Sequence, residues 1–384
     1  MRRVPGSDND RFAWGIAMRR FTKFLAAGVA VIALLGMAAY LVTRLPAFGE
    51  VPQGARQQQV QQLPQYVHGR LENSPAYQTD LALVENFRSY SQGQVREPQF
   101  AIPVLPILPN SLRLPPKPGL RVFWFGHASV LVEIDGVRIM TDPILSERAS
   151  PFQFIGPKRF HAPPLALEQL SGIDAVVISH DHYDHLDMAT VQQLARGGTR
   201  FYVGMGIGAH LQRWGVPAAL VQEMAWWQHA DVKGVRIHCT PARHYSGRRS
   251  MSNTSLWASW MLKGGQHAVY FSGDTGYAGH FSEIRQRLGA PDLSLMKVGA
   301  YGDSWLGIHM DPESAVRAHQ DLGARTMLPV HWATFNLAYH AWEEPIIRTL
   351  AAAAAKGADV VTPRVGEKVE LGVPFVNTAW YRGR

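Results

Sequence analysis

The stretch Ser179-His180-Asp181-His182-Tyr183-Asp184-His185 constrains this chain more than any other. Three imidazoles and two carboxylates stand within six residues, directly after the apolar run Ala175-Val176-Val177-Ile178. Such a run reads as a buried strand, so the polar cluster sits where that strand ends in a loop. Ionisable groups this dense are costly to bury unless a positive charge holds them. In a strand-like stretch His180 and His182 point to the same side. Asp184 and His185 lie just beyond and are able to turn toward a second centre. The pattern reads as half of a cage for two cations.

The rest of a cage must come from elsewhere, and three positions fit. His244 follows Thr240-Pro241-Ala242-Arg243, Asp274 follows Phe271-Ser272-Gly273, and His331 follows Leu328-Pro329-Val330. Alone, each is an ordinary structural histidine or capping aspartate. As a set with His180, His182, Asp184 and His185 they supply five imidazoles and two carboxylates. That is enough for two divalent metals with a bridging oxygen. Nitrogen-rich ligation suits two zinc ions, with iron or manganese as alternatives.

At 384 residues and 46% hydrophobic composition, the chain can bury a full core, as one large domain with extensions or two small ones. With Cys239 as its one cysteine, it has no intrachain disulfide. The net charge of +8 is concentrated early: Arg2, Arg3, Arg11, Arg19, Arg20 and Lys23 all precede an apolar segment. No basic run interleaved with aromatics follows, so nucleic acid is not an expected partner. Residues 1–23 form a basic flank and residues 24–43 carry no charge. At about 1.5 Å per residue, a helix there spans roughly 30 Å of bilayer. The flanking charges predict a cytoplasmic N-terminus and an exported main body, on the periplasmic face of the inner membrane if the cell is bacterial. A cleaved signal peptide is the rival, with Gly36-Met37-Ala38 as small residues near a cleavage point. Met18 is an alternative start to Met1.

Residues 44–118 read as a Gln-rich spacer followed by a strap holding Pro103, Pro106, Pro109, Pro115, Pro116 and Pro118. Proline removes donors and fixes φ, so the strap is expected to be extended, not helical. The compact domain opens at Gly119 and runs over residues 119–384. Asp135-Gly136 is a two-residue hairpin signal. Asp311-Pro312 marks a helix start, with Gly323 as its end, and the Ala-rich residues 345–356 before Gly357 form another helix. Hairpins first, then mixed strands and helices, favour stacked sheets flanked by helices.

HxHxDH followed by His, Asp and His at strand ends resembles the metallo-β-lactamase superfamily. Within it the chain is similar to the N-acylphosphatidylethanolamine-hydrolysing phospholipases D. The residues that carry this are FGHASVLVEIDG (125–136), TDPILSERASPFQFIGPKRF (141–160), ISHDHYDHLD (178–187), GDTGY (273–277) and VHWATF (330–335), with Trp226-Trp227 and His309 beside them. The resemblance runs from about residue 68 to about 370. It implies an α+β chain folded as a four-layer αββα sandwich, preceded here by the transmembrane helix. It also implies that His180, His182 and His244 hold one zinc, Asp184, His185 and His331 the other, and Asp274 bridges. Tyr183 and His309 would contact the phospholipid, and His309 and Asp274 would serve the chemistry. Asp142 is expected to buttress the metal loop by hydrogen bonding, and His127 either to support the ligands from behind or to pack.

Two metals roughly 3.5–4 Å apart lower the pKa of a shared water toward about 7, so direct hydrolysis of a phosphodiester is expected. The partners implied are a membrane phospholipid as substrate and the bilayer itself, with a homodimer left open. One alternative is a hydrolase of the same fold acting on a sugar-phosphate lactone or another phosphodiester. The other is a non-catalytic envelope scaffold.

Overall fold

The computed structural model describes residues 8–75, 94–248, 251–302, 305 and 307–383. It divides into two units, Met1–Phe48 and Gly49–Arg384. The first is dominated by one helix, Asp8–Val42, whose stretch Phe21–Val42 has a mean hydropathy of 2.4 and is not buried. By length and composition it can cross a membrane.

The second unit is built on two mixed sheets of seven strands each. A small hairpin, β1 (Tyr66–Val67) with β2 (Arg70–Leu71), stands apart from both. The first sheet contains β3 (Leu120–Gly126), β4 (Ser129–Ile134), β5 (Val137–Thr141), β6 (Ala175–Ile178), β7 (Arg200–Gly204), β8 (Val221–Met224) and β16 (Lys368–Glu370). Their order is β16-β3-β4-β5-β6-β7-β8. The second contains β9 (His229–Val232), β10 (Val235–Thr240), β11 (Ser259–Lys263), β12 (Ala268–Phe271), β13 (Leu293–Lys297), β14 (Thr326–Val330) and β15 (Asp359–Val360). Their order is β15-β14-β13-β12-β11-β10-β9. The β4–β5 hairpin turns at Asp135 and Gly136, both at positive φ, the twist that a two-residue hairpin needs.

Side-chain alternation sends the two faces of the first sheet to different places. Val130, Val132 and Val177 share a buried cluster with Ile237, Trp260 and Phe271 of the second sheet. Leu131, Val176 and Ile178 instead join Val191, Leu194 and Leu211 from the helices Met188–Arg196 and Gly208–Arg213. The helix Pro312–Leu322 starts as expected: the Asp311 carboxylate accepts from Ser314 N at 2.8 Å, and Gly323 ends it in the left-handed region. Helix Glu344–Lys356 ends the same way at Gly357.

Two readings of residues 44–118 need correction. The spacer is not a free linker from its start, since the helix Gly54–Gln61 buries Val60. With Leu63 and Leu71, Val60 packs in one cluster with Ala242, Leu256 and Trp257. A few well-spaced apolar residues suffice to dock a Gln-rich segment, and composition averages hide them. The Pro-rich strap is not wholly extended, because Pro109–Arg113 forms a short helix. Proline is tolerated there because the first turn has no intrahelical partner for its missing N–H. Buried Arg138 staples this helix down, donating to the carbonyls of Leu112 at 2.6 Å and Ser111 at 3.0 Å. The part of the spacer at 76–93 lies outside the described residues.

Trp260 is fully buried in the cluster shared by the sheets, and its indole N–H reaches the carbonyl of Ile178, where β6 gives way to the histidine-rich loop. Trp260→Ala should cost about 3–5 kcal/mol. Thermal unfolding checks this, and an unchanged midpoint would count against Trp260 as a keystone.

Candidate metal centre

The residues singled out at strand ends come together at one edge of the two sheets. After β6 the chain leaves extended geometry at once, and His182 to His185 form a turn. His180 and His182 nevertheless converge, their ring nitrogens 2.8 Å apart. His244 arrives after β10, Asp274 after β12 and His331 after β14. Gly273, at positive φ, permits close approach, since a Cβ there would collide with the Ser179 side chain.

One half of the site consists of nitrogen. His182 Nδ1 lies 2.8 Å from His180 Nε2 and 3.2 Å from His244 Nε2. The outer nitrogens fix the tautomers. His244 Nδ1 must donate to the Ile308 carbonyl at 3.2 Å, since a carbonyl only accepts. Ser179 Oγ sends its hydrogen to Asp142, so it accepts from His180 Nδ1 at 2.9 Å. The inner nitrogens of His180 and His244 therefore both present lone pairs toward His182. One proton satisfies at most one of these contacts, whereas a cation satisfies all three. Burial holds the pKa of His180, His182 and His244 below the ordinary imidazole value, which keeps them neutral donors.

The other half carries charge. Asp184 Oδ2 lies 3.3 Å from His185 Nε2 and 3.4 Å from His331 Nε2. Asp274 Oδ2 lies 3.4 and 3.1 Å from the same two atoms. Burial alone would lower the pKa of these rings, yet the carboxylates of Asp274 and Asp184 raise it for His185, and Asp274 with Asp184 does so for His331. The geometry demands positive charge at this point. Among the described residues, His182 Nε2, His185 Nε2, His331 Nε2 and Asp274 Oδ1 are buried with no hydrogen-bond partner. His180, His182 and His244 form one group able to hold a metal, and Asp184, His185 and His331 form another together with His127. The donor set fits a pair of divalent cations.

Supporting contacts complete the centre. Asp142 accepts from Ser179 N at 2.7 Å, from Ser179 Oγ and from His185 Nδ1 at 2.6 Å, leaving His185 Nε2 to face the site. His127 takes the first of its two expected roles: its Nε2 lies 3.0 Å from Asp184 Oδ2 and supports that ligand. The φ of His127 is positive. Tyr183 and His309 both line a cavity of about 290 Å³ above the cluster, along with His182, Asp184, Asp274 and His331. The Tyr183 hydroxyl donates to the Arg248 carbonyl at 2.8 Å, and the Arg248 guanidinium lies 4.0 Å from the Tyr183 ring centre. His309 Nδ1 is 3.9 Å from Asp274 Oδ2. Sequence reasoning missed Lys297, a fully buried lysine at the end of β13 whose pKa burial lowers to about 7. The available signal was a lone charge between the apolar runs Leu293-Ser294-Leu295-Met296 and Val298-Gly299-Ala300.

A β-lactamase superfamily domain model matches residues 137–332. An uncharacterised protein of Mycobacterium tuberculosis is 49% identical over 268 residues, 68% of this chain and 72% of that protein. The N-acyl-phosphatidylethanolamine-hydrolyzing phospholipase D 1 of Caenorhabditis elegans is 38% identical over 233 residues, 57% of this chain and 65% of that protein. Among solved structures, a metallo hydrolase from Ignicoccus hospitalis shares 25% identity with a TM-score of 0.53, covering 66% of this chain and 99% of that one. Every one of the gathered histidines and aspartates from His180 to His331 falls inside the matched stretch. The chain therefore belongs to the β-lactamase superfamily, and it is a metal-dependent hydrolase of the metallo-β-lactamase type.

Proposed function

We propose that the chain is a phosphodiesterase of phospholipase D type, hydrolysing N-acylphosphatidylethanolamine to N-acylethanolamine and phosphatidic acid. The cavity above the cluster carries this reading. Its floor is His182, Asp184, Asp274 and His331, while Trp305, Ile308 and Leu337 give it an apolar wall. A charged floor beside an apolar wall suits a phosphodiester that bears acyl chains. The 38% identity to the worm enzyme supports the same substrate. The helix at Phe21–Val42 supports a membrane anchor with the catalytic unit on the exported side, where the enzyme meets lipid at high effective concentration. We read the sheets and their helices as the four-layer αββα arrangement, which the division of the first sheet's two faces between separate clusters supports.

In this reading His180, His182 and His244 would hold one zinc and Asp184, His185 and His331 the other, with Asp274 as a shared ligand. When bound, the pair supplies Lewis acidity at phosphorus and a water acidic enough to be used near neutral pH. The chain's own residues do the rest. Asp274 Oδ1, buried without a partner among the described residues, takes a proton from the attacking water. The new bond forms from that water's oxygen to phosphorus as the bond from phosphorus to the ethanolamine oxygen breaks. The same proton then passes to the departing ethanolamine oxygen, so N-acylethanolamine leaves neutral. His309, whose pKa burial and the Lys297 charge hold well below the ordinary value, stands as a neutral ring that orients the phosphoryl group. Tyr183, held by Arg248, walls the cavity.

Purified full-length protein, metal-replete in mixed lipid–detergent micelles, should release N-acylethanolamine and phosphatidic acid. Turnover of lactones or nucleotide diesters with none of the lipid would remove this substrate. His182→Ala should abolish turnover and bind less metal by elemental analysis, whereas a scaffold would keep its biological effect in cells. Asp142→Ala should weaken metal affinity about 10–100-fold, because Ser179 and His185 lose their shared acceptor. Chelator competition measures this, and an affinity equal to wild type would refute the supporting role.

A further inference from the structure

Lys297 is the last residue of β13, which lies between β12 and β14, the strands that lead to Asp274 and His331. Its side chain is fully buried, and no ion pair forms to it among the described residues. A buried ammonium without a close counter-charge is costly, and an apolar side chain of similar length would pack there without that cost. Its contacts are two carbonyls: Nζ lies 3.4 Å from Ala300 O and 3.3 Å from Met310 O. Asp274, Asp311 and Asp184 act on it at longer range and partly offset the burial.

Those two carbonyls frame the loop that forms one side of the cavity. Ala300, Trp305, Ile308 and His309 all line it. His309 Nδ1 has no hydrogen-bond partner among the described residues; it faces Asp274 Oδ2 at 3.9 Å, and the ring meets that of His244 edge-on at 5.0 Å. No hydrogen bond to the ring anchors it among the described residues, so its position depends on how its backbone is held: His309 N donates to Trp305 O at 2.7 Å and Met310 N to Thr275 O at 3.0 Å. Ala300 sits at a φ of 52°, and its N–H donates to His340 Nε2 at 3.0 Å. The ammonium is the one group seen to join both ends of this loop to the strand beneath it, among the described residues.

We infer that Lys297 is a positioning residue for His309, its ammonium tying the carbonyls of Ala300 and Met310 so that the ring is held over the metal-binding cluster. This rests on the reading of His309 as a substrate contact. A double-mutant cycle tests it on the full-length, metal-replete protein with Lys297→Met, His309→Ala and the pair. Each variant is assayed on N-acylphosphatidylethanolamine and on bis(p-nitrophenyl) phosphate, a plain phosphodiester. Each single change should lower kcat about ten- to a hundredfold. The pair should lose no more than His309→Ala alone, at unchanged metal content. Amide exchange at Ile308, His309 and Met310 should quicken in Lys297→Met. Losses that multiply in the pair, or a wild-type rate in Lys297→Met, overturn the inference. Should the wild type cleave the plain diester but not the lipid, the proposed substrate falls and the cycle is read on the diester. Should it cleave neither, exchange decides: quickened supports the tie, unchanged overturns it. If Lys297→Met does not fold, Lys297→Leu, which likewise removes the N–H donors, replaces it under the same criteria.

Discussion

A carboxylate with no access to solvent sets the geometry on which the centre depends. Asp142 stands directly after β5 and reaches across to the end of β6, where it accepts from the backbone and hydroxyl of Ser179 and from the ring of His185. Burial pushes its pKa up, and those donors pull it back down without cancelling the rise. The three donors are what stabilises its ionised form against the cost of burial. The neighbouring strand ends and the cation-binding loop are locked through one atom group, so a change in either is felt by the other.

The strain around the site follows the same economy. His127, Asp142, Ala300, His331 and Ala333 all have positive φ, although none is glycine. Conformations of this kind cost about 1–3 kcal/mol each and persist only where surroundings over-determine them. Here the surroundings do so. His331 N donates to His127 O at 3.0 Å, His127 N donates to Thr334 Oγ1 at 2.6 Å, and Phe160 N donates to Thr334 O at 2.9 Å. These bonds stitch the loop after β3 to the loop after β14, joining the edges of the two sheets exactly where the ligands emerge.

What the sequence made legible follows from which interactions are local. His180, His182, Asp184 and His185 could be read because they lie in one short run after an apolar strand. The Asp135-Gly136 turn and the Asp311 cap were readable for the same reason: each depends on residues within a few positions. His244, Asp274 and His331 needed the added signal of an apolar strand ahead of each. Lys297 left a signal as a lone charge between apolar runs, but its Met310 contact and the Asp184 contact of His127 were not legible, because distant segments place those partners beside them. The docking of the helix Gly54–Gln61 was hidden likewise, since Val60 acquires a partner only when Trp257 and Leu256 are brought under it.

The two halves of the centre divide the electrostatic work. Neutral rings are cheap to bury, so His180 and His244 can be fully enclosed with their outer nitrogens satisfied by Ser179 and Ile308. Carboxylates are expensive to bury, so Asp184 and Asp274 are placed together, each against both His185 and His331. Clustering the two like charges would be unfavourable unless strong positive charge sat between them. The rings of His185 and His331 respond to that pull in the protein alone, and a divalent cation answers it better than a shared proton can. Asp274 Oδ2, 3.9 Å from His244 Nε2 and closer still to His185 and His331, joins the neutral donors on one side to the negative charge on the other, so the whole arrangement answers to bound metal.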